Sequence, residues 1–308
     1  MCSMESIESL TFAQQQRLRF IESMVLWEGV VQRQRVCDVF RVNPNHVTRD
    51  IQIYKRQFPK SLEYNPSARA YEPGAKFAPR LASGDPSEYL ALLLAYAESQ
   101  SVAMLPVLGG DRHLVEALPT PTNSVGQYVL RCVIKATRHG KALEVLYNSM
   151  SYDQPTRRTL WPHALVHVGF QWHIRAYDGL RNEFRNFAIQ RIAEVNVSEQ
   201  RSAVPSSEDG DWHGKLRVEI MPNPRLNPHQ QGIVAKEYGM KKNPDGWVWS
   251  ENIRRCLVGY FAVHYRLDQA VRDRMSIDGD AHPQGIPVIP KDPDQLKPYL
   301  FGATLQCE

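Results

Sequence analysis

The chain has 308 residues, 43% hydrophobic and 23% charged, the balance of an ordinary globular protein with room for two or three domains. Its best candidate for a membrane span, Tyr89 to Tyr96, is far short of the roughly 20 residues a membrane-spanning helix needs, and the N-terminus lacks the basic start and apolar core of a signal peptide. Net charge is only +4, and the whole excess lies in residues 1–82, which hold 12 Lys/Arg against 8 Asp/Glu; this excludes a strongly basic protein but marks the N-terminal end as one of two anion-binding zones, the other lying mid-chain.

The first predicted element is an amphipathic helix from Leu10 to Trp27, with Leu10, Ala13, Leu18, Ile21 and Val25 at near-helical spacing and Gly29 ending it. A short second helix runs from Gln32 to Phe40. Asn43 is a good N-cap and Pro44 suits a first helical position, so a third helix is expected over Asn45 to Phe58. Val47, Ile51, Tyr54 and Phe58 form its core stripe. Its other face presents Asn45, His46, Thr48, Arg49, Gln52, Lys55 and Arg56. Asn, Gln and Arg read base edges through paired hydrogen bonds, while Lys and Arg also suit phosphates. Two short strand-like pieces flank Asn65-Pro66-Ser67, with Arg69 in the second. Short helix, capped turn, polar helix and basic hairpin together predict a winged helix-turn-helix that binds double-stranded DNA. The bland alternative is a solvated surface helix.

Gly84-Asp85-Pro86 punctuates the chain, and Ser87 to Gln100 reads as a strongly apolar helix, more buried than an exposed linker would be. From Tyr128 to Val197 the pattern alternates. Strands are expected at Leu130–Ala136, Ala142–Ser149, Arg158–Leu160, Ala164–Val168, Phe170–Tyr177 and Phe184–Val197, and many short strands with tight turns suggest a small barrel. This region holds 10 Lys/Arg against 5 Asp/Glu. In Phe170–Tyr177, Phe170, Trp172, Ile174 and Ala176 share an oily face, whereas Gln171, His173, Arg175 and Tyr177 share a hydrogen-bonding one. Tyr147, Ser149, His163, Arg185 and Arg191 are expected to converge on the same side. Several buried cations are costly unless something neutralises them, so this face is a candidate nucleotide or anion site. The alternative is a structural network, with an arginine pairing Asp178 or Glu183. Gln200 to Gly210 reads as a polar linker. A small α+β unit follows: strand Leu216–Ile220, helix His229–Tyr238, strand Gly246–Trp249, helix Ser250–Tyr265 and an extended Pro-rich tail from Asp278. The fold class is therefore α+β and multidomain.

Enzyme and metal chemistry find little footing. The chain has no GxSxG, HExxH, GxxxxGK[ST] or GxGxxG motif, and no cofactor is expected. His163, His167 and His173 lack cysteine or carboxylate companions at ligand spacing. The five cysteines are scattered and never form CxxC, a pattern of reduced thiols in a cytoplasmic protein. A non-sequence-specific DNA or single-strand-binding accessory factor stands as the runner-up to a regulator.

The runs Leu160–His167, Phe170–Tyr177 and Arg185–Ile192 resemble a WYL domain, and are most similar to the BrxR/CapW-type regulators found beside anti-phage defence operons. The family's Trp-Tyr-Leu signature falls on Trp172, His173 and Ile174, in the His-Ile variant of this subgroup. The resemblance implies a winged helix-turn-helix over 1–82, a helical bridge over 83–125, a Sm-like WYL barrel over 126–200 and a C-terminal dimerisation domain over 211–308. It further implies a homodimeric transcriptional repressor on a palindromic operator. The barrel would sense a nucleic-acid-derived effector, through Tyr147, Ser149, His163, His173, Arg175, Tyr177, Arg185 and Arg191.

Overall fold

The computed structural model describes residues 10–98, 115, 117–118, 125–202, 204–273 and 286–301. The chain divides into two compact units, Met1–Thr120 and Pro121–Glu308.

The first unit opens with α1 (Phe12–Glu28), capped by Thr11 and Gln14 in a reciprocal capping box and ended by Gly29 at φ 75°. The strand β1 (Val31–Gln32) leads into α2 (Arg33–Phe40) and α3 (Pro44–Gln57). Strands β2 (Leu62–Asn65) and β3 (Ala70–Pro73) form a hairpin, and β1 pairs with β3 to complete a three-stranded sheet. Leu18, Ile21, Met24, Val36, Val47, Ile51 and Tyr54 fill one core beneath these elements. The helix α4 (Pro86–Glu98) was expected to be buried; Leu90 and Leu94 instead stand exposed.

In the second unit, α5 (Gln127–His139) replaces the strand expected at Leu130–Ala136. Val129, Cys132, Val133 and Ala136 follow the helical period, and Gly140 caps the helix at φ 61°. Then come β4 (Lys141–Tyr147), β5 (Thr156–Val168), β6 (Gln171–Asp178), β7 (Glu183–Ala188) and β8 (Ile192–Arg201). These make one sheet in the order β7-β6-β5-β4-β8. The closed Sm-like barrel does not form as a hydrogen-bonded ring, because β7 and β8 remain edges. Two expected strands merge into the long β5, and the expected strand Phe184–Val197 is broken by a tight 3-10 turn at Ile189–Arg191.

One sheet face packs on α5, joining Val133 and Ala136 to Leu143, Val145, Leu160, Ile174, Ala176 and Phe187. The oily face expected on β6 is only half right. Ile174 and Ala176 lie in this core, but Phe170 and Trp172 are exposed at the hairpin tip, where Gly169-Phe170 turns the chain beyond the edge of the packed layer.

The remaining elements build a four-stranded sheet, β10-β11-β9-β12. They are α6 (Gly210–His213), β9 (Lys215–Pro222), α7 (Pro228–Glu237), β10 (Lys241–Asn243), β11 (Gly246–Arg254), α8 (Val258–His264), α9 (Leu267–Asp273), β12 (Val288–Pro290) and α10 (Pro293–Leu296). Two expectations change here. Residues 250–254 continue β11 rather than starting a helix. Over 286–301 the tail is extended only at β12, which pairs with β9; it then turns helical, and Leu296 and Leu300 are buried in the local core. The first part of that tail, 278–285, lies outside the described residues.

Candidate nucleic-acid interface and effector site

The edge of α3 is built by its cap and its core. Asn43 Oδ1 accepts from the Asn45 amide at 2.9 Å, and Pro44 occupies the first helical position. Val47, Ile51 and Tyr54 are fully buried, which fixes the rotation of the helix. Asn45, His46, Arg49, Gln52 and Arg56 are then exposed, with Thr48 and Lys55 half-buried beside them. Arg69 is exposed at the β2–β3 tip in left-handed backbone, φ 50°. Asn65 Oδ1 accepts the Ser67 and Ala68 amides and shapes that tip.

Sequence reasoning missed Arg33. It donates from Nη1 to Thr48 Oγ1 at 3.1 Å, which ties the start of α2 to the exposed polar face of α3. With Gln32, Tyr64, Ser67, Arg69 and Tyr71 it lines a groove of about 520 Å³. The only sequence signal was the basic Gln32-Arg33-Gln34-Arg35 run. Arg35 has another job, pairing with Glu28.

Two buried acids hold this unit together. Asp50 accepts from Arg17 Nε at 2.7 Å and from Gln14 Nε2 at 3.1 Å, fastening α3 to α1. Glu22 accepts the Tyr54 hydroxyl and the amides of Arg80, Leu81 (2.6 Å) and Ala82 (2.8 Å). Burial and the Glu22 carboxylate both push the Tyr54 phenol well above its ordinary range.

The second site lies on the outer face of β5, β6 and β7. The β5–β6 register slips between Pro162 and Ala164, leaving His163 as the extra residue of a bulge. His163 Nε2 lies 3.0 Å from Asp209 Oδ2. Arg175 grips the same carboxylate with both arms of its fork, Nε to Oδ2 at 2.7 Å and Nη2 to Oδ1 at 2.8 Å. Both Arg175 and Asp209 are buried. Burial by itself would raise the Asp209 pKa, but the hydrogen bonds from Arg175 and His163 outweigh it and hold the carboxyl well below the usual range. Asp209 also caps α6 through the Trp212 amide. Trp212 stands edge-on to the His163 ring at 5.3 Å, and the Arg254 guanidinium lies 4.2 Å above the indole.

Arg175 and Arg185 line one cavity of about 140 Å³, closed by Cys256, Gly259, Tyr260 and Tyr299. Asn186, beside Arg175 in register, donates to the Cys256 carbonyl at 3.0 Å. His173 packs on Tyr260 at 5.4 Å, and burial pushes its pKa down to about 4. Burial pushes the Cys256 thiol up to about 11, leaving it unreactive at neutral pH.

The predicted effector residues therefore divide. His163 and Arg175 meet on Asp209, Arg185 shares the cavity, and Tyr177 packs nearby on Phe184 at 5.2 Å. Arg191 sits in the 3-10 turn, where its charge acts on both Tyr147 and His173. Tyr147 does not face the site. It is fully buried on the α5 side against Phe187, and its hydroxyl accepts the Ala188 amide. Ser149 turns back on its own loop, accepting the Ser151 amide.

The expected need for a neutralising anion is met from within the chain. Asp209, read as part of a linker, serves Arg175, and Glu183 serves Arg185 at 3.1 Å. Asp178 serves Arg158, a buried cation that sequence reasoning passed over. No local signal marked Asp209, because its arginine lies 34 positions away. Among the described residues no group of three or more His, Cys, Asp or Glu side chains could hold a metal ion. No helix among them is long and apolar enough to cross a membrane.

Three family models match the chain: the BrxR transcriptional regulator winged helix-turn-helix domain over residues 13–95, the WYL domain over 128–197, and the BrxR C-terminal dimerization domain over 215–282. The chain is 30% identical over 271 residues to the DNA-binding transcriptional repressor CapW of Escherichia coli strain KTE188, covering 87% of each protein. It is 29% identical over 292 residues to CapW of Pseudomonas aeruginosa, covering 94% of this chain and 92% of that one. With CapW of Stenotrophomonas maltophilia the identity is 27% over 235 residues, covering 74% and 76%.

Proposed function

The chain belongs to the family of BrxR- and CapW-type DNA-binding transcriptional repressors, and from that premise we propose that it is a homodimer that binds a palindromic operator, silences a phage-defence operon and is released by an anionic, nucleic-acid-derived effector. The observation that carries the DNA reading is the edge of α3. Asn45, Arg49 and Gln52 face solvent on a helix whose opposite side is locked by Val47, Ile51 and Tyr54. Side chains of this kind specify bases only if their helix cannot roll. The wing residue Arg69 and the groove residue Arg33 add phosphate contacts that position the helix without reading sequence. A dimer would set two such helices about 34–36 Å apart on one side of the duplex.

The effector reading is supported by the outer face of β5–β7. His163 and Arg175 gather there against a segment of the C-terminal region rather than against solvent, and Arg185, which pairs with Ala176, lines the adjoining cavity. A ligand that prefers the parted arrangement shifts the equilibrium toward it, and tenfold release needs about 1.4 kcal/mol of preference.

The test is a competition gel shift with the purified dimer. A repressor prefers its operator over bulk DNA by about 10³-fold or more at physiological salt. Equal affinity for both, with a steep salt dependence, would make the protein a general DNA tether instead.

A further inference from the structure

We propose that Asp209 is a built-in occupant of the effector's anion subsite, and that the group displacing it is a terminal phosphate monoester. This inference rests on the effector reading above and deepens it.

Asp209 is held as a ligand is held. Its two oxygens take the Arg175 fork at 2.7 and 2.8 Å, and one of them also takes His163 Nε2 at 3.0 Å. All three residues come from separate stretches of the chain, and the carboxylate is 1% exposed. A bulge in β5 is what brings His163 to it.

The donor set selects the competitor. Three N–H groups converge, two in a plane and one to the side. A terminal phosphate has three free oxygens, two for the guanidinium and one for the imidazole. An internal phosphodiester has two and a single charge, no more than Asp209 already offers these three donors, whereas a terminal phosphate adds a third oxygen and carries about −1.5 to −2. The site therefore favours the end of a strand, or a mononucleotide, over the middle of one.

The adjoining cavity agrees with a closed state. Its 140 Å³ is well below the roughly 300 Å³ at which small-molecule pockets begin. Arg185 Nη2 and Asn186 Oδ1 are buried without a hydrogen-bond partner, and both residues line the cavity. A donor and an acceptor so placed suit a sugar or base behind the phosphate, once the wall carrying Asp209 and α6 withdraws.

The experiment uses the full-length dimer, with a 5′-phosphorylated deoxydinucleotide, its 5′-hydroxyl counterpart and inorganic phosphate as probes. Asp209→Asn keeps the cap on α6, since Asn accepts the Trp212 amide as well as Asp does, but removes the competing charge. Asp209→Ser is a second cap-competent variant should the first fold poorly. The phosphorylated probe is expected to bind either variant about tenfold or more tighter than the parent, with the hydroxyl probe bound weakly by all. Trp212 fluorescence, isolated by subtracting a Trp212→Phe control, is expected to shift in the parent on adding the phosphorylated probe and to be already shifted in Asp209→Asn. Unchanged affinity in both variants, or equal binding of the phosphorylated and hydroxyl probes, overturns the inference. The effector reading itself is judged separately by Arg175→Ala in a reporter strain, where induction by phage infection is expected to be lost. Retained induction there sinks the reading, whereas lost induction with no gain at position 209 sinks only the inference.

Discussion

Arg158 and Asp178 meet at 2.6 Å inside the five-stranded sheet, with neither side chain exposed to solvent. Arg158 lies on β5 in register with Val145, and its guanidinium sits within 6.0 Å of the Tyr147 and Phe187 rings. A charge so placed depends on its partner. Asp178→Ala is expected to cost about 3–5 kcal/mol, because it leaves the arginine charge buried and uncompensated. The double change Arg158→Met with Asp178→Leu should cost far less. Urea denaturation of the three proteins checks this, and a double variant no more stable than Asp178→Ala contradicts it.

Arg49→Ala is expected to weaken operator binding by about 1–3 kcal/mol while leaving the dimer intact. Arg56→Ala should weaken operator and bulk DNA alike and lower the salt slope by about one. Gel shifts across a salt series, with size-exclusion chromatography as the control, separate the two roles. If Arg49→Ala also lowered both affinities equally, base reading would belong to other residues.

Glu22→Ala removes the acceptor for three backbone amides and the Tyr54 hydroxyl at once. Each buried donor left alone costs about 1–3 kcal/mol. Hydrogen exchange is expected to accelerate at Leu81 and Ala82, with much smaller changes at Val36 and other amides in the unit's core. Continued protection at 81 and 82 would mean that other contacts hold the segment.

His173 sets a pH dependence. Its pKa falls from 6.5 to about 4 in the folded chain because burial penalises the cation. Between those values the unfolded state binds the extra proton and the folded state does not, so stability rises with pH across this window. Acidification from pH 6.5 is expected to destabilise the protein progressively, with the penalty complete below pH 4. His173→Gln should flatten that part of the curve. Urea midpoints at half-unit pH steps show it, and an unchanged slope in the variant assigns the titration elsewhere.

Asp209 makes stability rise with pH in the same sense as His173, but in a more acidic window. Its folded pKa is depressed, so its contribution is present above the unfolded carboxylate value of about 3.9 and is lost only as pH falls through the folded one. The stability gap between the parent and Asp209→Asn is expected to stay constant from pH 7 to 5 and to narrow only in stronger acid. Thermal melts of both proteins over that range test it; narrowing already at pH 6 would mean that a group other than the Asp209 carboxyl sets the gap.

Local chemistry was legible in the sequence, and long-range closure was not. Asn43-Pro44 announces the start of α3, and Val47, Ile51 and Tyr54 fix its buried side, because cap and periodicity are properties of neighbouring residues. The alternation in β6 correctly separates Ile174 and Ala176 from His173 and Arg175. It misjudges Phe170 and Trp172, since alternation tells which residues share a face but not where the packed layer ends. Leu130–Ala136 satisfies two periods at once, and alternation alone does not choose between strand and helix there. Tyr147 followed strand parity to the wrong side because parity within one strand does not say which face of a distant strand it matches; the pairings Leu143 with Leu160 and Leu160 with Asp178 put it on the face of Ile174 and Ala176. Asp209 could not be assigned at all without knowing which surface folds over Arg175.

The arrangement around Glu22 bears on how force moves through the repressor. The chain leaving the wing is fastened at Leu81 and Ala82 to the same carboxylate that receives the Tyr54 hydroxyl of α3. A pull on the polypeptide past that point is thus not absorbed by a slack tether. It is delivered through a stiff pivot to the last turn of α3, so a small displacement there tilts the exposed polar edge of that helix without unfolding anything.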